Sequence, residues 1–202
     1  MHSGSKLIFE ENRLDLGIVM LKREDALALV RKNVAKENNV KHMIAVGAVM
    51  KETAKQLGED PSKWELVGIL HDIDFERCTG LNDHTKIAKE MLKDLVTDEI
   101  IEAIMAHNYE NTGVALDSRM KKALVASDAV SGLVVASALV MPSKKIEEVR
   151  LDSLMKKFKS KDFAKGASRD RIAVCTELGM TLEGFLSVAL EGMKGVSGEL
   201  GL

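Results

Sequence analysis

The sequence predicts an all-α fold, on two observations. Only two prolines interrupt 202 residues rich in Ala, Leu, Met, Lys and Glu, the side chains that lose least on entering a helix. No run of alternating β-branched residues bounded by turn dipeptides occurs, so no segment reads as a strand.

A first helix is expected over Lys22 to Val34. A second runs from about Asn38 to Leu57 and is closed by Gly58, because glycine takes the left-handed conformation that ends a helix without steric cost. Pro61 and Ser62 open a third, which carries Leu66, Val67, Ile69 and Leu70 into His71. Asn82 or Asp83 opens a fourth that ends near Leu95. Thr97 caps a fifth, with Asp98 and Glu99 in the first turn where the helix dipole favours acids, and it ends near His107. Asp117 or Ser118 starts a long sixth helix, stopped by Pro142. The polar stretch from Ser143 to Arg171 holds a short helix near Leu151 to Phe158. The last two helices run from Arg169 to Leu178 and from Leu182 to Lys194, with Gly179 between them and Thr181 capping the second. The glycine-rich tail after Gly195 is expected to fray.

The length suits one domain. Residues 1–142 read as its core with an N-terminal segment, and 143–202 as a basic segment and helices packed on the same domain. A net charge of -2 gives no global attraction for nucleic acid or anionic membrane. The two cysteines, Cys78 and Cys175, imply no disulfide framework and exclude a cysteine-cluster metal site, which points to a reducing, cytoplasmic setting. The apolar run Leu16 to Leu21 is too short for a secretory leader and follows acidic residues. Ala123 to Met141 comes nearest to the ~20 apolar residues of a membrane span. Ser127, Asp128 and Ser131 interrupt it, so it reads as a buried core helix, and no membrane association is expected.

Setting aside His2, the histidines are His42, His71, His84 and His107, each on or beside a different expected helix. Asp72 follows His71 directly, and Asp128 lies inside the most apolar helix, where an unpaired carboxylate is costly. Imidazole nitrogens mixed with carboxylates suit Fe, Mn, Zn, Co or Ni, whereas carboxylates alone would lean toward Mg or Ca. Taken singly, a histidine on a helix is more often a hydrogen-bonded core or surface residue than a ligand, and Asp128 could be a structural acceptor. The specificity lies in the ordered combination.

That combination resembles the HD superfamily of metal-dependent phosphohydrolases. The resemblance rests on "VKHMIAVGAVM" around His42, "VGILHDIDFE" around His71 and Asp72, and "ALVASDAVSGL" around Asp128. "NDHTKIAKEML" and "EAIMAHN" add His84 and His107, as in a two-metal subgroup that includes HDIG-type proteins and HD hydrolases of diadenosine tetraphosphate. The resemblance implies an HD-domain helical bundle with a C-terminal helical extension. It implies two divalent transition metal ions, one on His42, His71 and Asp128, the other on His84 and His107, with Asp72 bridging. It further implies that Asp72 and Asp128 serve catalysis, by metal-bound hydroxide attack on the phosphorus of a nucleotide or other small phosphoester. Two alternatives carry the same ligands: a di-iron HD oxygenase, and a non-catalytic metal- or nucleotide-binding module.

One departure stands out. Many such enzymes place a lysine three residues after the His-Asp pair, and this chain has Phe75 there, flanked by Asp74 and Glu76. Those acids are either partners that orient ligand histidines or loop residues facing water. Positive charge for phosphate is available instead in Lys144 to Arg171, where bases outnumber acids two to one. The segment reads either as a lid over the site, with Lys165 and Arg169 as the phosphate contacts, or as a solvated face with Phe158 and Phe163 in the core. An aromatic content of 3% disfavours a stacking platform for nucleic acid, so the expected partner is a small phosphorylated molecule. Trp64 is expected in the core, Tyr109 at the rim near His107, and Cys78 without an activated thiolate.

Overall fold

The computed structural model describes residues 21–202. His2 and most of the Leu16–Leu21 run lie outside the described residues, in which every regular element is helical. The α-helices are α1 (Arg23–Asn33), α2 (Glu37–Leu57), α3 (Pro61–Leu70), α4 (Lys86–Leu92), α5 (Asp98–His107), α6 (Tyr109–Thr112), α7 (Arg119–Leu139), α8 (Leu151–Lys159), α9 (Arg169–Ala173), α10 (Leu182–Lys194) and α11 (Ser197–Leu200).

Local signals explain most boundaries. Gly58 sits at φ 71° and donates its N–H to the last carbonyls of α2. The Asp60 carboxylate accepts from the N–H groups of Ser62 and Lys63, and Pro61 occupies the first turn of α3. Thr97, Ser118, Ser168 and Thr181 cap α5, α7, α9 and α10 through their hydroxyls.

α2 and α7 form the centre of the bundle. α2 packs on α3, α7 and α10, and α7 also meets α5, α8 and α9. α7 is long and apolar enough to cross a bilayer by composition, but it is the buried core helix of this bundle. α2 and α3 cross backbone to backbone. A Cβ on Gly68 would lie 2.6 Å from the Gly47 Cα, so only glycine fits this crossing. α10 lies almost as close to α2, where a Cβ on Gly192 would meet the Ala48 carbonyl oxygen at 2.6 Å. Trp64 is buried, and Phe158 and Phe163 pack partly buried against the core.

Three expectations need correction. The fourth helix starts at Lys86 rather than Asn82 or Asp83 and ends at Leu92. The buried Asp74 carboxylate binds the N–H groups of Thr85 and Ala88, at 2.7 and 2.9 Å, and Thr85 takes φ 69°, so the helix is opened from a distant loop. The stretch Arg169 to Leu178 is α-helical only to Ala173 and then tightens into a 3-10 turn. The tail does not fray: it forms α11, buries Leu200 and receives Arg23 on Glu199 at 2.7 Å.

Candidate metal centre

His42 projects from α2, His71 ends α3, Asp72 follows in the next turn, His84 lies in the loop before α4, His107 ends α5 and Asp128 sits mid-way along α7. The Gly47–Gly68 crossing holds the first two together, with ring centroids 5.1 Å apart. The rings of His71 and His107 are 5.0 Å apart, and those of His84 and His107 are 4.8 Å apart.

The backbone fixes the tautomers. His71 Nδ1 donates to the Gly68 carbonyl at 2.8 Å, His107 Nδ1 to the Ile104 carbonyl at 3.2 Å, and His84 Nδ1 to Asp74 Oδ1 at 2.9 Å. These partners can only accept, so the proton sits on Nδ1 and the lone pair on Nε2. Ser131 Oγ gives its hydrogen to the Asp128 carbonyl and therefore accepts from His42 Nδ1 at 3.2 Å.

The four Nε2 atoms then divide between the two oxygens of Asp72. Oδ2 lies 3.7 Å from His42 Nε2 and 3.4 Å from His71 Nε2. Oδ1 lies 3.2 Å from His84 Nε2 and 3.5 Å from His107 Nε2. Asp128 Oδ1 joins the first half, 3.2 Å from His42 Nε2 and 4.0 Å from His71 Nε2.

These donors fit divalent ions. Two ligands about 2.1 Å from one ion and at right angles lie about 3 Å apart, close to the spacings in each half. Among the described residues His71 Nε2 and Asp72 Oδ1 are buried and lack a hydrogen-bond partner while the imidazoles are neutral, a cost that a metal ion would remove.

In the metal-free protein protons partly take the ions' place. Burial works against charge on His84, but hydrogen bonds to Asp72 and Asp74 outweigh it and raise its pKa to about 9. Burial, reinforced by the neighbouring His71, lowers His107 to about 4. For Asp128 burial is outweighed by the His42 hydrogen bond and the charges of the other histidines, which hold it down at about 2. Asp72 is likewise held well below the usual carboxylate range, by His71 first, against the effect of burial.

Compared with protein-family models, residues 39–134 match the HD domain. The match spans just under half of the chain. It runs from α2 through most of α7 and contains all six residues of the cluster. No curated protein and no solved structure matches the chain.

Around the cluster, the flanking residues fall into place unequally. Asp74 is fully buried and orients His84, whereas Glu76 binds the N–H groups of Ala35 and Lys36 and the Asn39 amide, tying the loop before α2. Phe75, where a lysine would stand, is half exposed with its ring edge-on to His84 at 5.6 Å. Burial, with the Asp74 charge, pushes the Cys78 thiol up to about 11, so it is no thiolate.

The two basic residues expected to grip phosphate are not brought to the cluster. Lys165 is exposed and pairs with Asp162 at 3.3 Å. Arg169 is spent on the loop itself: its guanidinium donates to the carbonyls of Lys157, Phe158, Ser160, Phe163, Ala164 and Ala167. A cation that does reach the cluster is Arg171, whose Nη2 lies 2.6 Å from the His107 carbonyl and 3.4 Å from Asp128 Oδ2. In sequence it was one base among ten between Lys144 and Arg171, and nothing there set it apart from Arg169.

Proposed function

We propose that this HD domain is the catalytic unit of a two-metal phosphohydrolase acting on a nucleotide or another small phosphoester. The observation that carries the reading is the division of four Nε2 atoms between the two oxygens of Asp72, which offers one oxygen to each half of the cluster. His42, His71 and Asp128 would hold one ion and His84 and His107 the other, with Asp72 shared between them. Two divalent ions from among Fe, Mn, Co, Ni and Zn would supply an acidified water and positive charge for the phosphoryl oxygens.

The chain's own part is preparation. Backbone carbonyls, Asp74 and Ser131 fix the imidazole tautomers, so no ligand has to reorganise when an ion arrives. The two carboxylates stay ionised despite burial, and their charge offsets that of the ions. Three of the histidines are buried, which keeps bulk water off the far side of the centre.

The test is metal analysis of the purified protein, followed by a phosphatase screen with each ion in turn. Two ions per chain and phosphate release are expected from the wild type. His71→Ala should lose metal and activity, whereas His84→Ala and His107→Ala should each keep one ion. If His71→Ala left both metal content and activity unchanged, the reading would be wrong. Iron with a mixed-valence spectrum and no phosphate release would replace hydrolysis by oxygenase chemistry.

A further inference from the structure

Two cavities meet beside the centre. The first, about 320 Å³, lies between His42 and Asp128 on one wall and Gly166, Ser168 and Arg171 on the other. The second, about 450 Å³, runs between α2, α7 and α11 and shares His42, Ser131 and Gly132 with the first. Its apolar lining comes from Ala45, Val135, Leu139, Leu200 and Leu202, with Asn38 and Lys41 also on its wall. Leu139 is 50% exposed, a large apolar side chain left open on the cavity wall.

Arg171 stands at the first cavity in an unusual state of pairing. Nη2 is engaged by the His107 carbonyl and Asp128 Oδ2, and the Tyr109 ring lies against the guanidinium at 5.8 Å. Among the described residues Nε is buried without a partner, and Nη1 has only a 3.8 Å approach to the exposed Glu110. Asp128 turns Oδ1 to the histidines and Oδ2 to Arg171, so a single carboxylate separates the guanidinium from the metal ligands. A fixed guanidinium with donors to spare is suited to hold tetrahedral oxyanions.

Resting on the reading above, we infer that the first cavity takes the phosphoryl group of a phosphate monoester, held by Arg171, and that the second takes a weakly polar, aliphatic alcohol portion. Arg171 thus supplies the positive charge that the Phe75 position lacks. Among the described residues neither cavity is lined by Phe, Tyr or Trp, so the alcohol is selected by apolar contact rather than by stacking of a base.

The test uses the full chain loaded with Mn²⁺. Binding of inorganic phosphate is measured calorimetrically for wild type, Arg171→Ala and Arg171→Lys, with metal per chain determined for each. A loss of tenfold or more in Arg171→Ala, with wild-type metal content, is expected; Arg171→Lys, which keeps the charge, falls between and decides if Arg171→Ala does not fold. Binding of n-alkyl phosphates from methyl to hexyl should tighten by about threefold per methylene, and Leu139→Asp should flatten the trend. Unchanged phosphate affinity in Arg171→Ala with intact metal overturns the assignment and leaves the metal centre standing. Affinity indifferent to chain length, with adenosine monophosphate bound more tightly than hexyl phosphate, overturns the aliphatic selection. A wild type that takes up no metal overturns the hydrolase reading and this inference with it.

Discussion

Asp74 lies two residues beyond Asp72 and decides where a proton sits. Its Oδ1 accepts from His84 Nδ1, and its Oδ2 accepts from two backbone N–H groups. In Asp74→Asn the amide oxygen must stay with the backbone donors, so the NH₂ faces His84 and drives that ring's proton to Nε2. One ion should then be lost, with affinity falling about 10–100-fold, while the other stays, as read by metal titration; equal weakening of both would contradict the tautomer argument. The same histidine sets a pH dependence in the metal-free protein. The His84 pKa is raised, so its contribution to stability is complete below the unfolded value of about 6.5 and is lost as pH rises through about 9. His107 is lowered, so its contribution is complete above about 6.5 and is lost as pH falls through about 4. Metal-stripped protein should therefore melt at falling temperature from pH 7 to 9.5, and the gap to metal-loaded protein should widen over that range in scanning calorimetry.

Among the elements, the crossing of α2 and α3 is the most constrained. An added methyl at Gly68 meets backbone rather than a movable side chain, so Gly68→Ala should destabilise by about 1–3 kcal/mol, seen as a lower urea midpoint. It should also weaken metal binding, because His71 follows three residues later. This crossing was not foreseen: Gly47 and Gly68 appear in the motif strings, but a glycine pair has no meaning until two helices are known to touch. The starts of α5, α7 and α10 were readable because Thr97, Ser118 and Thr181 act within three residues, and that of α3 because Pro61 suits a first helical turn. The start of α4 was not, because its cap is Asp74, eleven residues before Thr85. The cluster was readable from the ordered combination of His42, His71-Asp72, His84, His107 and Asp128, of which Asp128 stood out because an unpaired carboxylate is costly inside an apolar helix. Arg169 and Arg171 were indistinguishable in sequence, since only the loop's path decides which one meets carbonyls and which meets Asp128.

At the scale of the molecule, the segment beyond α7 is joined to the helices that carry the cluster by its arginines. Arg169 gathers a loop whose Ala164 sits at φ 47°, and Arg171 then ties the following helix to α5 and α7. Arg169→Ala leaves six carbonyls to find other donors. It should cost about 2–4 kcal/mol and open Lys157 to Lys165 to trypsin, and an unchanged digestion pattern would deny the loop its anchor. The glycine crossing has a different consequence for the whole. At Gly68 main chain meets main chain, with no side chain there whose rotamer could give way, so the distance between the parts of the centre that α2 and α3 carry is gauged by main-chain atoms. Loosening the bundle elsewhere, by heat or by core substitutions, leaves that gauge untouched until the two helices separate, and the centre then fails in one step rather than by gradual drift.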